Sequence, residues 1–184
     1  MRPARSLTHL KKWRGRSPIE SRGGHISPDS FKKLGYLGHL PKVFDEVLLA
    51  RAVMEELRGE ELYEDVKQLA SQGFARVAEA TNLDLVELLS AGLGVGEAET
   101  IALASDVNAD LALLDDLKAR KVARRLGIRV MGTLGTLKLL MDAGHVHESP
   151  EELCSALTGQ GFWVDAELCL KILGRGESDR VSVG

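Results

Sequence analysis

Beyond residue 30 the apolar positions follow two alternating rhythms. A short aliphatic run from Val47 to Leu49 predicts a strand, and Val53, Met54 and Leu57 then fall on one side of a helix. The stretch ELYEDVKQLASQG, from Glu61, predicts a second helix that stops at Gly73, and FARVAEA predicts a short strand. Thr81 with Asp84 three residues later carries a helix-start signature for TNLDLVELLSAG. GVGEAETIALASD follows as a helix, ADLALLD as a strand, DLKARKVARRLG as a helix, IRVMG as a strand and TLGTLKLLMDAGH as a helix. Within them Ala119, Val122, Ala123 and Leu126 make a stripe at i, i+3, i+4 and i+7. Ser149-Pro150-Glu151-Glu152 reads as a capping box with proline at the first helical position, opening PEELCSALTG, and DAELCLKIL is the last predicted helix.

Strands separated by helices pair in parallel through crossover connections, so the pattern predicts α/β architecture. In open parallel sheets ligands bind beyond the carboxyl ends of the strands. LALLDDLKAR places two like charges, Asp115 and Asp116, at such an end, where the next helix N-terminus favours negative charge. Alone, the doublet is read most simply as a cap at Asp116 and a solvated turn residue at Asp115.

Composition narrows the class. The chain has 184 residues, 44% hydrophobic and 28% charged, as expected of a globular domain. No stretch is long and apolar enough to span a bilayer, and no secretory signal is visible, which makes the cytoplasm the expected compartment. Cys154 and Cys169 lack metal or redox spacing and lie among apolar residues, so buried thiols are expected. The net charge of −3 hides an asymmetry: residues 1–26 carry seven basic side chains against Glu20, a net of +6, and the remainder carries −9. A basic arm suits nucleic acid, but its few apolar residues and lack of period favour a solvated tail.

Three further features need weighing. Gly92, Gly94 and Gly96 lack the spacing of a dinucleotide loop, no clear strand precedes them, and Glu97 would repel a pyrophosphate. Glu97 in a first helical turn complements the helix dipole, and Glu55–Glu56 reads as a solvated helix face. Each acid alone has a bland explanation.

Taken together the motifs are more specific. Gly96-Glu97-Ala98, Asp115-Asp116, Ala119-Arg120, Leu126-Gly127 and Gly132-Thr133-Leu134-Gly135 closely resemble the hallmarks of DUF3368, a PIN-like family of nucleic-acid-binding proteins. The flanking LGYLGHLPKVFDEVLLARAVMEEL and LTGQGFWVDAELCLKIL are similar to it as well, so the resemblance covers about residues 33–173. It implies a three-layer α/β/α fold with a parallel sheet over residues 31–175, after an irregular basic segment 1–30 and before a flexible tail 176–184. It further implies a metal-dependent ribonuclease of the kind that serves as toxin in toxin–antitoxin pairs, with RNA as substrate and an antitoxin or a second copy as protein partner. Glu56 (or Glu55), Glu97, Asp115 and Asp116 match the family's acidic positions and would hold Mg²⁺ or Mn²⁺, with Glu97, Asp115 and Asp116 as the catalytic set. Hard divalent ions take carboxylate oxygens, and a metal can lower the pKa of bound water for attack on phosphorus. Arg120, four residues past Asp116, would orient that carboxylate or meet a phosphate, Thr133 would hydrogen-bond nearby, and Lys121 and Arg124, with Lys118 and Arg125, would follow an RNA backbone.

The family's opening strand ends in a metal-binding aspartate followed by Ser-Pro. Here ESRGGHISPDSF retains Ser27-Pro28, places His25 about where the aspartate belongs and has no aliphatic run before it. The resemblance thus leaves the first strand missing, or supplied by a less regular segment such as LTHLKKW, and the alternative is a catalytically inactive module binding nucleic acid or an antitoxin.

Overall fold

A computed structural model describes residues 34–160 and 164–174. The expected N-terminal segment, the tail and any strand supplied by LTHLKKW lie outside the described residues.

The chain enters through a 3₁₀ segment, Leu37–Lys42, and continues as β1 (Val47–Ala50), α1 (Arg51–Glu56), α2 (Glu61–Ser71), β2 (Ala75–Ala78), α3 (Leu83–Ser90), α4 (Val95–Asp106), β3 (Ala112–Leu113), α5 (Leu117–Arg125), β4 (Val130–Met131), α6 (Thr133–Asp142), α7 (Pro150–Gly159) and α8 (Ala166–Leu173). Every strand and helix predicted from periodicity past residue 46 is present. One start differs: Asn82, not Thr81, caps α3 by accepting from the Leu85 N–H, while Thr81 donates through its amide and hydroxyl to Asp106 at the far end of α4. The capping box at Ser149 forms as predicted.

All strand pairing among the described residues is parallel, but it is split. β1 pairs with β2 in the register Val47↔Ala75 to Ala50↔Ala78, and β3 pairs with β4 at Ala112↔Val130 and Leu113↔Met131, giving two separate two-stranded sheets.

Strand alternation distributes the core over two faces. Leu48 and Ala50 turn toward Ala102 and Leu103 of α4, and Ala112 and Leu114 turn toward Ile101 and Ala104 of the same helix and Ala119 and Ala123 of α5. The opposite residues, Val47, Leu49 and Leu111, join a larger cluster built by Leu40, Phe44, Leu69, Leu137, Leu140, Leu157 and Ile172. Helices therefore cover both faces, the α/β/α layering expected from the sequence, and α4 spans both half-sheets.

The cysteines overturn an expectation. Cys154 on α7 and Cys169 on α8 are joined in a disulfide within the large core cluster, not held as free thiols. Spacing in sequence gave no sign of it, because only the packing of α7 against α8 brings the two residues together.

Candidate functional site

Four helix starts and strand ends meet at one rim. Leu114 ends the β3 ladder by donating to the Met131 carbonyl, and the chain then presents the aspartate doublet. The two carboxylates divide the work. Asp116 is the N-cap of its own helix, α5, and Oδ1 accepts from the Ala119 amide at 2.7 Å. Asp115 reaches the start of α6, where Gly132 has no side chain to serve as cap, and accepts from the Thr133 amide at 3.0 Å. Asp115 thus caps a helix that begins eighteen residues later, with the buried Thr133 hydroxyl adding a second hydrogen bond.

α4 is treated in the same way by two glutamates. Glu97 closes a box on the Gly94 amide at 3.0 Å. Glu56, at the end of α1, accepts from the Gly96 amide at 3.1 Å across forty positions. Glu56, Glu97, Asp115 and Asp116 all line one cavity of about 390 Å³, whereas Glu55 does not line it.

Close approach explains two of the glycines. A Cβ on Gly132 would sit 2.6 Å from Asp115 Oδ1 and 3.3 Å from the Arg120 guanidinium, and one on Gly96 would sit 2.8 Å from the Glu56 carboxylate. Any larger residue at Gly132 would displace the charge pair packed there.

Burial dominates the electrostatics of that pair. Asp115 is pushed up to about 7, because desolvation outweighs the Thr133 amide and the charge of Arg120, which both favour the anion. Arg120 is lowered, first by burial and then by the neighbouring charge of Arg124, against the pull of Asp115. A freely solvated ion pair would move both groups toward their charged forms. Here both move toward neutrality, so the desolvation cost wins.

The Arg120 guanidinium stands beside Gly132 and Asp115. It is 7% exposed and its Nε has no hydrogen-bond partner among the described residues, whereas Lys121 and Arg124 are exposed.

Carboxylates are the right chemical type for the divalent ion that the motifs imply. Among the described residues, however, no three His, Cys, Asp or Glu side chains gather closely enough to hold a metal ion. The carboxylates share a rim but each is turned to a helix amide, so the described residues alone do not fit the ion.

One buried-side carboxylate escaped the sequence reading. Glu99, two residues past Glu97, accepts from the Ala52 amide at 2.7 Å and the Ala80 amide at 3.4 Å, tying α4 to the segments that follow β1 and β2. Its signal in the sequence is an acid standing beside Ala98, Ile101 and Ala102, residues that are buried on that helix.

The site is thus a set of acids from separate elements at one cavity rim of a parallel-stranded α/β domain. Residues 29–178 match the DUF3368 model, described as a PIN domain, and the chain belongs to that family. Neither a curated protein nor a solved structure matches it. No helix among the described residues is long and apolar enough to cross a membrane.

Proposed function

We propose that this chain is a PIN-domain ribonuclease that acts on RNA phosphodiester bonds at the rim formed by Glu56, Glu97, Asp115 and Asp116, in the cytoplasm, in the manner of a toxin held by an antitoxin or as a homodimer. The supporting observation is that four of the six acidic residues lining one cavity are the ones the family's acidic positions match, and they come from different parts of the chain. Asp115 carries the chemistry best: held near neutrality by burial, it can take or give a proton at an attacking or leaving oxygen. Lys121 and Arg124, exposed on α5, would track the phosphates. Mg²⁺ or Mn²⁺ is the cofactor this ancestry implies, but since the described carboxylates do not gather around an ion, no step is assigned to it.

The test is incubation with unstructured RNA and Mn²⁺, comparing the native chain with Asp115→Asn/Asp116→Asn. Asparagine keeps the oxygen that accepts from the helix amides, so the variant should fold. Cleavage by the native chain alone supports the proposal, and equal cleavage by both ends it.

A second reading, a binding module without catalysis, is favoured by the engagement of each carboxylate as a helix cap. It predicts RNA binding in a gel shift, without cleavage, that weakens with salt. Lys121→Ala/Arg124→Ala would reduce the slope of log K against log salt by about 2.

A further inference from the structure

Charge is divided along this chain at the rim itself. From residue 77 to residue 117 there are nine acidic side chains and no basic one, and from Lys118 to Met141 there are seven basic side chains and no acidic one. The boundary falls between Asp116, which lines the cavity, and Lys118, two residues on. A block of like charge is commonly a solvated face, so its place in the fold decides its meaning.

α5 carries the positive block away from the rim. Asp116 caps the helix. Lys118, in its first turn, donates to the Gly92 carbonyl between α3 and α4, two residues before Gly94, whose amide Glu97 holds. Lys121 and Arg125 stand three and seven positions after Lys118, on the same side of the helix, and Arg124 stands three after Lys121. Lys121, Arg124 and Arg125 are exposed, and Arg120 is buried. From Asp116 to Arg125 the helix rises about 14 Å, the length of about four stacked nucleotides.

The other ways out from the rim are acidic. α3 exposes Asp84 and Glu87 and carries no basic residue, and the first turn of α4 bears Glu97. At the end of α1, Glu55, Glu56 and Glu60 are exposed against one base, Arg58. On α6, Lys138 is buried and paired with Asp142. Among the described residues, α5 is therefore the element leading from the rim that offers a polyanion an exposed face of positive charge alone. It bears no aromatic side chain on which a base could stack, so its contacts are to phosphates and carry no sequence preference.

We infer that RNA is held on one side of the rim only: about four nucleotides of a single strand lie along α5 from Asp116 to Arg125, and the strand beyond the rim, toward α3 and the end of α1, is left unbound. Lys121, Arg124 and Arg125 set the footprint on the bound side, and Asp84 and Glu87 end it on the other. Oppositely charged flanks also orient an approaching strand before it makes contact. This rests on the reading of the rim as an RNA site, and not on cleavage there.

The probes are end-labelled 2′-O-methyl oligouridylates of 3, 4, 6, 9 and 12 nucleotides, which resist cleavage. They are titrated against the full chain by anisotropy at fixed salt, with constants corrected for the number of binding frames on each strand. Affinity should rise up to about five nucleotides and stay flat beyond. Lys121→Ala/Arg124→Ala/Arg125→Ala should weaken binding of the 6-mer at least tenfold. Glu87→Lys/Leu88→Lys, at two exposed positions on α3, should leave the 4-mer within threefold and bind the 12-mer at least tenfold tighter than the native chain does, because the basic track then continues past the rim. Affinity that keeps rising with length on the native chain would overturn the inference. So would an unweakened triple variant, an α3 variant without the gain, or no binding of any probe. Length-limited binding along α5 without cleavage of ordinary RNA keeps the inference and removes the nuclease, and cleavage that ignores the triple variant does the reverse.

Discussion

The main-chain N–H of Thr133 donates to Asp115 Oδ1 at 3.0 Å, and this bond joins the carboxyl end of β3 to the first turn of α6. It gives an acid in the middle of the proposed site a structural duty, and it explains why two aspartates stand together. Asp116 holds the helix that follows it, and Asp115 holds the one after that. Their mutual repulsion is offset by amides at two helix N-termini.

Asp115 makes stability depend on pH in an unusual direction for a carboxylate. Its folded pKa, about 7, lies above the ordinary aspartate value, so the folded state binds the proton more tightly. The contribution is fully present below about pH 4 and is lost as pH rises through 7. Asp115→Asn should remove this component, roughly 1 to 3 kcal/mol at pH 8. Urea denaturation of both proteins at pH 5 and pH 8 should show the variant gaining relative to the native chain as pH rises, and an unchanged difference would refute the assignment.

Gly132 and Gly159 should respond oppositely to the same substitution. At Gly132 an added methyl meets Asp115 Oδ1 at 2.6 Å against buried Arg120, and Gly132→Ala should cost about 2 kcal/mol, within the range for overpacking. Gly159, at the end of α7, has nothing within 4 Å of such a methyl, so Gly159→Ala should stabilise by about 0.5 kcal/mol through helix propensity. Thermal midpoints of the pair provide the check.

Glu99→Ala should be costly although Glu99 touches no part of the acid rim. It leaves the Ala52 and Ala80 amides without their acceptor, a loss of about 2 kcal/mol. Glu55→Ala, on the exposed face of α1, should change stability by less than about 0.5 kcal/mol. Similar losses for both in chemical denaturation would contradict the placement of Glu99.

The Cys154–Cys169 bond, fifteen residues apart, should contribute roughly 3 kcal/mol by restricting the unfolded chain. Alkylation in denaturant without reductant should modify neither sulfur, and reductant should lower the thermal midpoint. Two alkylated thiols in the unreduced protein would show that the bond is not formed.

The linear pattern was enough to locate the elements, their parallel character and the family, because strand and helix periods and cap residues are local properties. Ser149 and Asp116 announced their helices from a few neighbouring residues. That Glu97 and the doublet stand beside recognisable turns was also legible. What they bind was not. Glu56 reaching Gly96, Asp115 reaching Thr133 and Arg120 turning to Asp115 are contacts between elements, fixed by how helices pack across strands. The disulfide and the division into two half-sheets belong to the same category. Local sequence specified which segments become strands, but only tertiary packing decided that β1 and β3 share a cavity in place of a ladder, because strand neighbours are chosen by burial and hydrogen bonding between distant segments and not by any single stretch of chain.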